Sequence, residues 1–292
     1  MTQLELEEKL AGGASFGKKT IVMIQCVGSR DEDRSYCSRI CCGEAIKNSL
    51  KIKEKNSDAE IYILYRDMRT YGFRETYYEK ARDKGIIFVR YSKDKKPKVK
   101  KGKNDLEVET KDLILGEKLL LRADWLVLSP AIVPRTGNVE LAQKLKVPLN
   151  EDNFFLEAHV KLRPVDFATE GIFLAGMAHS PKSITETIAQ AYAAASRALI
   201  IISKDKYYTD APIAYVDEDL CSGCGVCEKM CSYGAIEMIT EIEGGKTKRL
   251  AHVLEGVCKG CGSCVSACPS GAIEQKGFKR EQIISMINAA VE

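Results

Sequence analysis

The chain has 292 residues, enough for two domains, and its 45% apolar and 29% charged content is typical of an ordinary globular protein. A formal net charge of +3 gives no reason to expect a nucleic-acid partner. The acidic start and the short apolar runs predict neither a secretory signal nor a membrane span, so we expect a cytoplasmic protein. Cysteines stay reduced there, and the clustering of the twelve present favours metal ligation over disulfides.

Residues 1–18 form an N-terminal extension, and alternating strands and helices are predicted from residue 19 to about residue 130. The apolar runs predict strands at 20–25, 61–65, 86–91 and 125–129, and helices near 38–55 and 74–84. Such alternation is typical of an α/β layer built on a parallel sheet. We therefore assign residues 19–135 to a Rossmann-like α/β domain.

A lysine-rich polar stretch interrupts this alternation at 93–110. Alternating apolar residues follow at 113–121, and the two stretches together predict a β-meander. The run KDKKPKVKKGK suits a solvated hairpin, and a docking site for an acidic partner is the alternative.

A strand, a turn and a long helix are predicted within residues 171–203. The apolar run IFLAG predicts the strand, Pro181 the turn, and the Ala-rich stretch that begins near Ser183 the helix. Glu186 favours the first turn of that helix. A linker is expected around Asp210–Pro212.

An internal repeat fills most of the remaining sequence. The stretch YVDEDLCSGCGVCEKMCSYGAIEM recurs 37 residues later as HVLEGVCKGCGSCVSACPSGAIEQ. It predicts a pseudo-twofold domain at 210–276, followed by a C-terminal helix at 277–292. Each copy carries four cysteines at the spacing C-x2-C-x2-C-x3-C, which is typical of bacterial ferredoxins with two [4Fe-4S] clusters.

The spacing assigns these eight cysteines to two clusters. Three cysteines of a repeat surround one cluster, whereas the fourth points along the following helix and ligates the other. One cluster is therefore expected on Cys221, Cys224, Cys227 and Cys268, and the second on Cys258, Cys261, Cys264 and Cys231. The alternative is a pair of zinc sites, for which C-x2-C pairs also serve.

A further cysteine set lies in the first half of the chain. Cys26 ends the first predicted strand, and Cys37, Cys41 and Cys42 follow on a loop that leads into a helix. Because residues four apart share a helix face, Cys37 and Cys41 are expected to converge. The spacing alone leaves a third [4Fe-4S] cluster, buried free cysteines and a redox disulfide as alternatives.

The segment between these cysteines stands where a dinucleotide-binding domain would have its glycine-rich turn. Only Gly28 of a G-x-G-x-x-G pattern is present, so a close approach of the backbone to a pyrophosphate is not expected. The Rossmann-like domain is therefore predicted to lack a nicotinamide site.

Several stretches resemble the A subunit of heterodisulfide reductase and its relatives: CVGSRDE, YCSRICC, YRDMRTYGFRE, IFLAGMAHSPKSITETIAQAYAAA and the ferredoxin repeat. The resemblance covers residues 19 to about 275. It implies a thioredoxin-reductase-like or disulfide-reductase-like Rossmannoid α/β region followed by an α+β bacterial-type 2[4Fe-4S] ferredoxin domain. It also implies that Cys26, Cys37, Cys41 and Cys42 hold a third cluster close to a flavin.

The same resemblance implies that residues 136–209 are the C-terminal part of an FAD-binding domain. The implied flavin contacts are Gly176, Met177, Ala178, Pro181, Lys182, Ser183 and Ile184. Met177 stands where many flavoproteins of the wider superfamily have Asp, so the ribityl hydrogen bond must come from elsewhere. A helix N-terminus there would stabilise negative charge on a reduced flavin, and Lys182 would do the same unless it is an ordinary exposed lysine.

The implied function is that of an iron-sulfur flavoprotein subunit in a heterodisulfide-reductase-like oxidoreductase complex. It would relay electrons between FAD and [4Fe-4S] clusters, either by flavin-based bifurcation or in a linear path. A non-enzymatic ferredoxin-type adaptor without flavin is the alternative. Because the glycine motif of the family's N-terminal FAD fold is missing, a separate subunit is expected to supply that half. Further electron-transfer subunits of the complex and a ferredoxin are the other expected partners.

Overall fold

A computed structural model describes residues 1–103, 105–206, 212–243 and 246–291. The chain divides into two compact units, one of residues 1–135 and 176–188 and the other of residues 136–175 and 189–292. Asp210, where the linker is predicted to begin, lies outside the described residues. Within them, no helix is both long enough and apolar enough to cross a bilayer.

The first unit contains the predicted parallel sheet. Its elements in chain order are α1 (Gln3–Ala11), β1 (Thr20–Val27), α2 (Cys41–Lys55), β2 (Glu60–Tyr65), α3 (Glu75–Asp83), β3 (Ile87–Arg90), β4 (Lys98–Lys101), β5 (Leu106–Lys111), β6 (Lys118–Ala123) and β7 (Trp125–Pro130). The order β3-β2-β1-β7 is parallel throughout, which confirms the predicted α/β layer. The predicted meander is also confirmed, as the antiparallel sheet β4-β5-β6.

The parallel sheet is buried on both faces. On one face Met23 of β1 packs in a cluster with Leu6 of α1 and Ile46 of α2. On the other face Val22 packs with Val108 of the meander. Successive strand side chains point to opposite faces, so a strand covered on both sides needs a nearly continuous apolar run. The run TIVMIQ meets this requirement.

Helix α1 contributes to the core, although the sequence predicts residues 1–18 only as an extension. Its Leu6 side chain is fully buried, whereas Leu4 in the same helix is 65% exposed. We expect Leu6→Ala to lower the free energy of unfolding by about 2–5 kcal/mol, because the change leaves a cavity in the core. The exposed control Leu4→Ala should change it by less than about 0.5 kcal/mol.

Urea unfolding followed by the fluorescence of Trp125 measures both α1 variants. Trp125 is the only tryptophan, and it packs against the same cluster as Leu6. Equal and small effects of the two substitutions would show that α1 is dispensable for the unit.

The predicted start of helix α2 is wrong by three residues. The helix begins at Cys41, whereas the sequence predicts a start near residue 38. Arg39 has a left-handed backbone with φ of 62°, which an α-helix cannot contain. The Ser38 hydroxyl accepts a hydrogen bond from the Ile132 N–H at 3.0 Å, which holds this loop outside the helix. Cys37 therefore lies on the loop, and its predicted helical i, i+4 relation to Cys41 does not occur.

The predicted strand IFLAG does not form as a regular strand. Phe173 makes one isolated antiparallel bridge with Asp166, and the Leu174 N–H donates to the Val165 carbonyl at 2.8 Å. Gly176, at φ of 71°, then starts a 3-10 turn. The turn therefore ends the backbone pairing before a regular strand can form.

The second unit contains the ferredoxin repeat. The remaining elements of the chain are α4 (Asn138–Leu145), α5 (Ile184–Ile202), β8 (Ala214–Val216), α6 (Val226–Met230), β9 (Ile236–Glu243), β10 (Lys246–Val253), α7 (Ser263–Ala267), β11 (Ile273–Gln275) and α8 (Arg280–Val291). Residues 184–188 of α5 belong to the first unit. Helix α8 lies within the stretch 277–292 for which a C-terminal helix is predicted.

The two halves of the repeat pair in a crossed manner. Strand β8, before the first cysteine motif, pairs with β11, which follows the second motif. Strands β9 and β10, between the two motifs, pair with each other. Both pairings are antiparallel, and Ile236, Val253 and Ile273 form part of a shared core. The arrangement is the pseudo-twofold domain that the repeat predicts.

Candidate functional site

Two cavities in the second unit are lined by the cysteines of the repeat. The first is lined by Cys221, Cys224, Cys227 and Cys268. The second is lined by Cys231, Cys258, Cys261 and Cys264. The fold thus brings the fourth cysteine of each copy to three cysteines of the other copy, which is the ligand arrangement of two-cluster ferredoxins.

In each copy, a short helix separates the third cysteine of the motif from the fourth. Cys227 lies in α6 and is buried, and Cys231 follows directly after that helix. Cys264 of α7 and Cys268 repeat the arrangement. Each helix therefore carries the chain away from the cavity of its own copy, and the fourth cysteine faces the other.

Two glycines of the cysteine loops lie against backbone carbonyls. A Cβ added at Gly260 would lie 2.0 Å from the Pro212 carbonyl oxygen, and one at Gly223 would lie 2.4 Å from the Arg249 carbonyl oxygen. Both glycines have a positive φ, of 59° and 65°. Glycine is therefore required at both positions by close approach and by backbone conformation.

We expect Gly260→Ala to lower the iron content by about four atoms per chain, which corresponds to the loss of one [4Fe-4S] cluster. The added methyl group collides with backbone, and the left-handed conformation alone costs about 1–2 kcal/mol for a residue with a Cβ. The matched control is Gly256→Ala, since nothing lies within 4 Å of a Cβ there. Iron and sulfide analysis measures both variants. A full iron content in Gly260→Ala would contradict the requirement for glycine.

The third cysteine set converges at the carboxyl end of β1 in the first unit. Cys26, Cys41 and Cys42 are 7%, 8% and 3% exposed. A hydrogen bond donated to Cys42, together with burial, raises the pKa of Cys41. Accepting that bond lowers the pKa of Cys42 to about 7. The charges of Cys26 and Cys37 also raise the pKa of Cys41, so all four thiols share one electrostatic neighbourhood.

Three arginines surround these thiols. Burial raises the pKa of Cys26, and the charges of Arg30 and Arg66 oppose that rise. After the bond from Cys41, the Arg69 backbone N–H and the Arg69 charge also lower the pKa of Cys42. Four thiolates concentrate negative charge, which nearby guanidinium groups stabilise.

Gln25, beside Cys26, is fully buried, and neither side-chain amide atom has a hydrogen-bond partner among the described residues. Buried amide atoms usually have a hydrogen-bond partner, so the site can accommodate an additional polar group beside Gln25. All twelve cysteines are free thiols. No three or more His, Cys, Asp or Glu side chains within the described ranges are arranged to hold a single metal ion. A cubane takes one cysteine at each of its four irons, and the four thiols of the third site match that donor set.

The candidate flavin segment of the first unit has a buried part and an exposed part. Its buried residues are Gly176, Pro181, Lys182 and Ser183. Its exposed residues are Met177, Ala178 and Ile184. Lys182 is only 7% exposed, and its Nζ lies 2.9 Å from Nδ1 of His179. It is therefore not the ordinary exposed lysine of the alternative interpretation.

The N-terminus of helix α5 is capped reciprocally, as the sequence signal at Glu186 predicts. The Ser183 N–H donates to Glu186 Oε2 at 2.8 Å, and the Glu186 N–H donates to Ser183 Oγ at 3.3 Å. Such a capping box satisfies two backbone donors and defines where the helix begins.

Arg39 joins the third cysteine set to this segment. Its backbone N–H donates to Cys37 Sγ at 3.3 Å. Its guanidinium pairs with Glu186 and donates to the Pro181 carbonyl at 3.5 Å and to the Tyr71 hydroxyl at 3.0 Å. The sequence motifs alone identify neither Arg39 nor Tyr71 as a site residue. Their positions inside YCSRICC and YRDMRTYGFRE are the available signal.

Comparison with known families and relatives agrees with this architecture. Residues 220–272 match the family described as 4Fe-4S dicluster domain. An iron-sulfur A subunit of a CoB–CoM heterodisulfide reductase from Methanopyrus kandleri is 44% identical over 305 aligned positions, 99% of this chain and 46% of that protein. The A subunit of an H2:CoB-CoM heterodisulfide,ferredoxin reductase from Methanothermobacter thermautotrophicus is 40% identical, over 100% of this chain and 45% of that protein.

The chain thus spans a little under half the length of these two curated relatives. Among solved structures, thioredoxin reductases from T. acidophilum and Lactococcus lactis overlap with 67% of this chain and with 54% and 57% of their own. The TM-scores are 0.42 and 0.44 and the identities 16% and 17%. A likeness at this level defines neither the fold nor the function of the chain.

The crossed cysteine cavities and the dicluster match define an iron-sulfur protein with a two-cluster ferredoxin domain, whose clusters transfer electrons. The match favours [4Fe-4S] clusters over the zinc alternative for this domain. The similarity over 99–100% of this chain then identifies the family. The chain belongs to the family of heterodisulfide reductase A subunits, as the resemblance predicts.

Proposed function

We propose that this chain is an iron-sulfur flavoprotein subunit of a heterodisulfide-reductase-like oxidoreductase complex and relays electrons between FAD and [4Fe-4S] clusters. The relatives carry names of reductases of the CoB-CoM heterodisulfide, and some of those names include ferredoxin. Because the chain spans under half of those two relatives, the complex, its substrate and its partners are all part of the proposal.

One observation carries the proposal. The third cysteine set and the candidate flavin segment lie in the same compact unit, and the contacts of Arg39 join them. An isolated electron adaptor would need only the ferredoxin repeat of the other unit. When bound, [4Fe-4S] clusters would carry single electrons and a flavin would exchange electron pairs or single electrons.

The residues of the chain have distinct proposed roles. The two cavities of the repeat hold two clusters, and Cys26, Cys37, Cys41 and Cys42 hold a third. Arg30, Arg66 and Arg69 stabilise the thiolates of that third set. This division gives the chain three one-electron sites.

The flavin segment favours an anionic group. Lys182 places a buried amine two residues before the start of helix α5, whose N-terminus stabilises negative charge. The exposed Met177 offers no polar group to a ribityl chain. The hydrogen bonds to the ribityl chain are therefore proposed to come from residues other than Met177.

Iron, sulfide and flavin analysis of anaerobically purified protein tests the proposal, both alone and with its native partners. We expect about twelve irons per chain, from three cubanes, and FAD in the assembled complex. About eight irons and no flavin in either preparation would reduce the chain to a two-cluster electron adaptor.

A further inference from the structure

We infer that Arg39 is a positioning residue that holds the Cys37 loop against the first turn of α5. It thereby sets the position of the third cluster relative to the candidate flavin segment. The inference rests on the proposed function for the identity of the two groups that Arg39 would position.

The backbone of Arg39 is part of the proposed ligand loop. Arg39 lies midway between Cys37 and Cys41, and its N–H donates to Cys37 Sγ at 3.3 Å. Its φ of 62° is unfavourable for a residue with a Cβ. Such a conformation persists only where surrounding contacts enforce it. A change in those contacts therefore reaches the Cys37 thiolate directly.

The side chain of Arg39 reaches both sides of the buried Lys182–Ser183 pair. It pairs with Glu186 on one side and donates to the Pro181 carbonyl on the other. Glu186 uses its second carboxylate oxygen to accept the Ser183 N–H at 2.8 Å. The same carboxylate thus caps α5 and binds Arg39, so the ion pair is built into the start of the helix.

Tyr71 is a further hydrogen-bond acceptor for the Arg39 guanidinium. Its hydroxyl accepts a hydrogen bond from Arg39 at 3.0 Å, and the guanidinium carbon lies 6.0 Å from the ring centroid. Arg39 is therefore tied to Cys37 through its backbone N–H and to Tyr71 through its side chain.

The contacts require an arginine rather than any cation. Glu186, Pro181 and Tyr71 present three separate acceptors, and a planar guanidinium with five donors can satisfy all three. A lysine ammonium is a compact point charge on a flexible stem. Arg39→Lys should therefore behave like Arg39→Gln and not like the wild type.

The test compares Arg39→Gln, Arg39→Lys and Glu186→Gln in the full chain with its native partners. Lys19→Gln is the matched control, because it breaks the exposed Lys19–Asp124 ion pair in the same unit. The measurements are iron content, the EPR spectrum and midpoint potential of each cluster, and the FAD dissociation constant of the complex.

We expect Arg39→Gln to keep about twelve irons, as three cubanes require, and to leave both ferredoxin signals unchanged. The third cluster should change its EPR spectrum and potential, and FAD should bind at least tenfold more weakly. Arg39→Lys should match this result, Glu186→Gln should shift the same signal less, and Lys19→Gln should match the wild type. If Arg39→Gln loses the third cluster, the Glu186→Gln variant becomes the test, because this change leaves the cysteine loop intact. A shifted third-cluster spectrum in Glu186→Gln supports the inference. An unchanged spectrum overturns it.

The proposed function and this inference fail in different ways. A wild-type complex with about eight irons or no FAD refutes the proposed function before any variant is compared. A wild type with about twelve irons and FAD, beside an Arg39→Gln variant with unchanged third-cluster spectrum and FAD affinity, refutes the inference alone.

Discussion

Cys231→Ala is expected to remove the cluster of the second repeat, although Cys231 belongs to the first. The cavity that Cys231 lines is otherwise lined by Cys258, Cys261 and Cys264. Losing one of four thiolate ligands opens that cluster, while the set that contains Cys268 keeps all four. The iron content should fall by about four atoms per chain, and one ferredoxin signal should disappear from the EPR spectrum.

Double variants separate crossed from uncrossed ligation. Cys231→Ala combined with Cys261→Ala should lose the same four or so irons as either single change, because both residues serve one cluster. Cys231→Ala combined with Cys224→Ala should lose about eight, because the two residues serve different clusters. Ser232→Ala, at an exposed position beside Cys231, is the control with full iron. The opposite pattern for the two double variants would place the four cysteines of each repeat on one cluster.

Cys42→Ala is expected to lower the iron content from about twelve to about eight atoms per chain and to leave both ferredoxin signals intact. Cys42 is 3% exposed and adjoins Cys41 at the start of α2, so no other side chain can replace its thiolate without repacking. Iron analysis and EPR spectroscopy of the reduced protein measure the loss.

Gly43→Ala is the matched control for Cys42→Ala. Nothing lies within 4 Å of a Cβ at this position, and alanine favours a helix interior over glycine by about 0.5–1 kcal/mol. This variant should keep all its iron and be slightly more stable. An iron content of about eight in both the wild type and Cys42→Ala would mean that the third set consists of buried free thiols.

Short-range patterns account for the elements that the sequence predicts correctly. The apolar run TIVMIQ predicts a buried strand by itself, because a strand covered on both faces needs apolar residues in succession. The spacing of the eight repeat cysteines predicts two crossed sets, because three cysteines this close in sequence surround one cluster and the fourth points along the following helix to the other. The capping signal at Glu186 likewise acts within one helical turn.

The wrong predictions fall where the decisive contact is distant. The apolar run IFLAG has the composition of a strand, but a strand also needs a neighbour that continues its hydrogen-bond ladder. The start of α2 differs from the predicted one because Ser38 is held by Ile132, 94 residues away. Composition could not show that Lys182 is buried either, since burial depends on what packs around it.

The sequence by itself determined the two-cluster domain and the parallel sheet, because local spacing and periodicity encode both, and the resemblance of its motifs indicated the family. Only the tertiary structure decided that α1 enters the core and that the third cysteine set gathers beside three arginines. It also brought Arg39 to Glu186 across 147 residues of chain. The physical reason is that contacts between distant residues depend on how sheet, helices and loops pack, and no local pattern records that packing.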